Sequence, residues 1–93
     1  MTFEDIKNAV QNVAKEFNIT RATLFGSRAN GTFRQDSDVD LIVEFGKPVT
    51  LITLALISQQ LENALGVSVD IVHGPLQSTD FLEIDKEIEI YAA

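Results

Sequence analysis

From Val39 to Phe45 the chain alternates, setting Val39, Leu41, Val43 and Phe45 against Asp38, Asp40, Ile42 and Glu44. That period of two is the signature of a β-strand. Asp38 and Asp40, two residues apart, therefore point to one face while Val39 and Leu41 face a core. A small core has no packing reason to set two acids side by side in an apolar strand. The preceding apolar run, Ala22-Thr23-Leu24-Phe25, reads as a short buried strand that stops at Gly26. A helical turn over Ser27, Arg28 and Ala29 ends near Gly31, and residues 30–37 are polar and turn-rich, hence a loop. The stretch Leu24–Glu44 thus joins a glycine-serine corner on one strand to a carboxylate pair on the next.

The rest of the chain supplies support for that stretch. Phe3, Ile6, Val10, Val13 and Phe17 follow helical spacing, with Ala9 and Ala14 widening the stripe. Thr2 and Asp5 suit a capping box; Glu4 and Asp5 suit the positive end of the helix dipole, and Lys15 the negative end. Thr50 caps a second helix that runs to about Leu65 and stops at Gly66. Leu51, Leu54, Leu61 and Leu65 form its main stripe. Ile52, Leu56 and Ile57 make the apolar surface wider than one buried face needs. Either this helix is sandwiched in the core or it also meets another subunit. Val67, Val69 and Ile71 alternate with Ser68, Asp70 and Val72 in a third strand, and His73-Gly74-Pro75 turns the chain. Asp80 and Glu83 resemble a capping box, and Phe81, Ile84, Ile88 and Tyr91 follow helical spacing. Residues 87–91 also alternate as a strand would; the helix is the preferred reading. The order of elements predicts an α/β or α+β sandwich, a small mixed sheet of at least three strands flanked by helices.

At 93 residues the chain is expected to form a single domain over residues 1–93, large enough for a core without staples. It has no cysteine, which removes disulfides, thiolate metal sites and cysteine nucleophiles together. A reducing, cytoplasmic setting is expected. No segment approaches the roughly 18 consecutive apolar residues of a membrane span, and the N-terminus reads straight into an amphipathic pattern rather than a signal peptide. Fourteen acids against seven scattered bases give a net charge of −7. Such a surface repels nucleic acid and welcomes a divalent cation.

Two carboxylates held together repel, and a cation resolves the conflict. Oxygen donors without histidine or cysteine favour Mg²⁺, or Mn²⁺, over zinc. Alone, the Asp-x-Asp pattern is equally consistent with solvated surface acids. The Gly26-Ser27 corner adds weight, because glycine admits a phosphate close to the backbone and free N–H groups with the serine hydroxyl can hold an anion. Arg28 is either a phosphate contact or a surface residue. Asp70 lies on the non-core face of the third strand. If that strand pairs beside the second, Asp70 could ligate a metal or accept a proton from an attacking hydroxyl. His73 reads as a surface residue and Tyr91 as a packing residue.

Gly26-Ser27, ten intervening residues, Asp38-Val39-Asp40 and the later Asp70 resemble the polymerase-β-type nucleotidyltransferase signature. The match extends over GSRANGTFRQDSDVDLIVEF and over Gly66-Val67-Ser68-Val69-Asp70. Length and motif context resemble the minimal nucleotidyltransferase (MNT) family, the MntA-like antitoxins paired with HEPN-domain toxins. One departure is Asn30, which stands where many relatives carry a basic residue. The resemblance implies a polymerase-β-like fold in which Gly26, Ser27 and Arg28 hold the triphosphate and Asp38 and Asp40 bind Mg²⁺. Asp70 would complete the trio and help activate the acceptor hydroxyl. It implies in-line transfer of a nucleoside monophosphate, AMP from ATP, to a tyrosine of a partner toxin, with silencing of that toxin as the outcome. Two other functions compete: an antitoxin that neutralises by covering its partner, and a small-molecule transferase, for which a second lobe is missing. A chain this short has little room for a deep acceptor pocket, so a partner protein would supply the acceptor. The apolar face of the Thr50–Leu65 helix offers a docking surface, within a homo- or hetero-oligomer.

Overall fold

The first helix, α1 (Phe3–Phe17), is closed at its start by a capping box. The Asp5 N–H donates to Thr2 Oγ1 at 3.2 Å and the Thr2 N–H donates to Asp5 Oδ2 at 2.8 Å. At its other end Asn18 adopts the left-handed conformation (φ 57°) and turns the chain into β1 (Ile19–Phe25). Its buried stripe is Ile6, Ala9, Val10, Val13 and Ala14; Phe3, expected in that stripe, is half exposed. The computed structural model describes residues 2–31, 37–74 and 87–93.

After β1 come the single turn α2 (Ser27–Asn30), β2 (Val39–Phe45), α3 (Leu51–Leu65), β3 (Val69–His73) and β4 (Ile88–Ala92). The four strands form a mixed sheet in the order β3-β2-β1-β4. β1 runs antiparallel to both neighbours, whereas β3 lies parallel to β2. Helices α1 and α3 close one face. Ala22, Leu24, Val39, Leu41, Val43, Val69 and Ile90 of the sheet meet Ile6, Val10, Val13, Ile57 and Leu61 of the helices in one cluster. The alternation read along β2 holds on the helix-covered face, where Val39, Leu41 and Val43 are buried, but Ile42 on the opposite face is buried as well.

Two expectations are corrected. Ile88 and Tyr91 belong to a strand: β4 pairs with β1 through Ala22 opposite Tyr91 and Leu24 opposite Ile88. Spacing of three residues suited a helix, but pairing with a distant strand decides the conformation. Arg21 adds a tie across three strands, 3.7 Å from Glu44 on β2 and 3.2 Å from Glu89 on β4. The proposed capping box at Asp80 and Glu83, with Phe81 and Ile84, lies outside the described residues, as does loop 32–36.

The second correction concerns α3. Its cap at Thr50 and its left-handed stop at Gly66 (φ 76°) are as expected. Its buried side chains, however, are Ile57 and Leu61, while Leu51 is 83% exposed, Ile52 74% and Leu56 51%. The helix is not sandwiched in the core; its first turns leave an apolar face uncovered among the described residues. No helix among them is long and apolar enough to cross a membrane.

Candidate active site

Asp38, Asp40 and Asp70 arise from two adjacent parallel strands. The β2–β3 ladder begins with the Val39 N–H donating to the Ser68 carbonyl at 2.9 Å and places Asp40 directly opposite Asp70. Their flanking residues Val39, Leu41 and Val69 are buried, so both carboxylates emerge on the sheet face away from the helices. Parallel strands lie about 4.8 Å apart, which leaves the two acids in contact across the ladder. The condition that the sequence left open, that β3 pairs beside β2 and so brings Asp70 to Asp40, is met. Asp38, just before the strand, is exposed.

Crowding shows in the chemistry of Asp40. Its pKa is raised above the ordinary aspartate value, first by burial, then by the charge of Asp70, then by that of Asp38, and last by a side-chain hydrogen bond with Asp70. Each cause disfavours the ionised form. Asp40 is only partly buried, so solvent still reaches this group.

The glycine corner lies against the same carboxylate. Phe25 pairs with Asp40 in the β1–β2 ladder, and Gly26 follows with φ +76°. A Cβ at position 26 would overlap Asp40 Oδ2 and lie 3.2 Å from its Cγ. Only glycine fits there, both for its backbone angle and for the space taken by the carboxylate. The chain then closes into α2, with the Ala29 N–H donating to the Gly26 carbonyl at 3.1 Å. The Ser27 backbone opens that turn beside Asp40. The expected anion corner and the expected metal pair are thus neighbours in space.

Arg28 is not a surface residue. It is 3% exposed, and its Nε and Nη2 donate to the Ser37 carbonyl at 3.1 and 2.8 Å. A planar two-pronged donor spans residues 32–36 and grips the chain one residue before Asp38. On α3, Ser58 Oγ donates to the Val69 carbonyl at 2.6 Å, and the Val69 N–H donates to Glu62 Oε2 at 3.0 Å. Neither pairing has a sequence signature, because each joins a helix side chain to the backbone of a separate segment. His73 is exposed and packs edge-on to Phe45 at 5.5 Å, and Tyr91 packs against the core.

Among the described residues no group of three acids or histidines is set to hold a metal ion. Asp40 and Asp70 are in contact and Asp38 adds its charge from the strand entry. The raised pKa of Asp40 comes first from burial and then from the charges of Asp70 and Asp38. In donor chemistry, though not in assembled geometry, these oxygens suit a hard ion such as Mg²⁺ or Mn²⁺.

Known proteins with this architecture are consistent in kind. The chain is 33% identical over 76 residues to the protein adenylyltransferase MntA of Thermococcus cleftensis, covering 77% of each chain. A crystal structure of a toxin–antitoxin with AMP-PNP superposes with a TM-score of 0.77 at 23% identity, over 94% of this chain and 73% of that one. The MNT antitoxin complex with a tri-AMPylated Shewanella oneidensis HEPN toxin gives a TM-score of 0.70 at 18% identity, over 99% of this chain and 74% of the other. At those identities the two structures speak for the fold. The family pattern of the nucleotidyltransferase domain matches residues 6–92, from the first buried turn of α1 through β4, and the chain belongs to that family as a nucleotidyltransferase.

Proposed function

We propose that this chain is a Mg²⁺-dependent adenylyltransferase that moves AMP from ATP onto a hydroxyl of a partner protein, a tyrosine of a HEPN-domain toxin, and so acts as an antitoxin. The observation that carries this reading is the parallel register that sets Asp40 against Asp70, with the Gly26 corner pressed on the same carboxylate. The relatives support the chemistry: one is named a protein adenylyltransferase, one structure holds AMP-PNP, and another contains a tri-AMPylated HEPN toxin bound to its MNT antitoxin.

In this reading the backbone at Gly26 and Ser27 binds the triphosphate, and Arg28 serves that cradle by holding the Ser37 segment against it. Asp38, Asp40 and Asp70 hold Mg²⁺, or Mn²⁺ in its place. When bound, the ion neutralises charge that develops on the phosphoryl oxygens. The acceptor hydroxyl attacks the α-phosphorus in line, an oxygen–phosphorus bond forms, and pyrophosphate leaves with the electron pair of the broken bond. Asp70, the more exposed acid of the facing pair, takes the hydroxyl proton. The partner supplies the acceptor and seats on Leu51, Ile52 and Leu56 of α3. The reaction belongs in the cytoplasm, where ATP and Mg²⁺ are held. Label from α-labelled ATP should pass to the partner and label from γ-labelled ATP should not; transfer of the γ-label would replace this reading with a kinase.

A further inference from the structure

Among the described residues β3 is an edge strand, and its Asp70 faces another carboxylate. When both acids are ionised, their repulsion acts against the pairing of this five-residue strand with β2. In a parallel ladder alternate residues turn both backbone groups to one neighbour. Ser68 uses its carbonyl on Val39, so the groups of Val69 point outward, to the side where no further described strand lies. Both are met there by α3: the carbonyl by Ser58 Oγ at 2.6 Å and the N–H by Glu62 Oε2 at 3.0 Å. Ser58 and Glu62 are four residues apart and share one helix face. They meet the outward backbone groups of β3 where a neighbouring strand would, one residue before Asp70.

We infer that Ser58 and Glu62 are positioning residues for the Asp70 carboxylate, clamping the Val69 backbone so that Asp70 stays opposite Asp40 when no cation is bound. The inference rests on the reading of Asp70 as a metal ligand. Neither residue is required to touch nucleotide or ion. Their role is geometric, and the side-chain oxygen of Glu62 matters as a hydrogen-bond acceptor rather than as a charge.

The test is Mn²⁺ affinity by electron paramagnetic resonance on the full chain, without nucleotide or partner, below each variant's unfolding transition. Glu62→Ala and the double variant with Ser58→Ala should bind Mn²⁺ about tenfold more weakly, the size expected when an outer support of a ligand is removed. Glu62→Gln, which keeps an acceptor oxygen, should restore binding to within about twofold of the parent, a rescue that bulk charge would not give. Amide exchange along β3 should quicken in the alanine variants and not in Glu62→Gln. If the double variant does not fold, Ser58→Ala alone carries the test. Parent-like Mn²⁺ affinity in a folded Glu62→Ala protein, beside weakened binding in Asp70→Asn, overturns the clamp alone. Parent-like affinity in Asp70→Asn overturns the ligand role of Asp70 and the clamp with it.

Discussion

The Asp40 carboxylate occupies the space that a Cβ on residue 26 would need, so the glycine corner and the central acid are built into each other. Gly26→Ala must therefore move Asp40 and also hold φ near +76°. The left-handed angle alone costs about 1–2 kcal/mol for a residue with a side chain. Chemical denaturation should show at least that loss, and nucleotidyl transfer should fall further than stability does, since the displaced group is the acid of the site.

Asp40 also makes stability depend on pH in a direction opposite to that of a salt-bridged acid. Its pKa is raised in the folded state, so the folded protein holds the proton more tightly than the unfolded chain. The contribution to stability is present below the ordinary aspartate pKa of 3.8 and is lost as pH rises through the raised folded value. Denaturation of the metal-free protein across that window should show this loss, and Asp40→Asn should flatten it. Saturating Mg²⁺ should offset the loss by binding the ionised form.

Arg28 holds Ser37 with two N–H groups from inside the fold. Lysine carries the charge but not the planar fork. Arg28→Lys should lower the unfolding free energy by about 1.5–3 kcal/mol, the range for hydrogen bonds from a charged group. Urea denaturation measures this. Mg²⁺ affinity should drop in parallel, because the residue after Ser37 is Asp38.

The apolar side chains on α3 give a prediction with two halves. Leu56→Glu changes a residue that is 51% exposed and should alter stability by no more than about 0.5 kcal/mol. Binding to the partner should weaken by about tenfold or more, as for an anchor at an interface. Leu54, half-buried against the fold, is a poor choice for the same test because its replacement also perturbs packing. Titration calorimetry with the partner separates the two effects.

Much of the site was legible in the amino-acid order because its residues announce themselves locally. Asp38 and Asp40 break an alternating strand, Gly26-Ser27 ends another, and Asp70 sits on the polar side of a third. What local pattern could not supply was pairing: Ile88 and Tyr91 suit a helical period while residues 87–91 also alternate as a strand does, and only β1 decides between them. Periodicity likewise reports which side of α3 faces inward but not how far its neighbours extend, which is why Leu51 falls outside the core. The grips of Arg28 on Ser37 and of Ser58 and Glu62 on Val69 are contacts to backbone, and backbone partners leave no trace in residue identity.

The central claim is that the three aspartates catalyse transfer to a partner rather than merely accompany a binding surface. The most direct measurement is the intact mass of a HEPN-domain toxin after incubation with this chain, ATP and Mg²⁺. The account predicts a mass gain of one or more adenylyl groups, abolished by Asp38→Asn, and loss of neutralisation with that variant. An Asp38→Asn protein that neutralises the partner fully without any mass gain would contradict it.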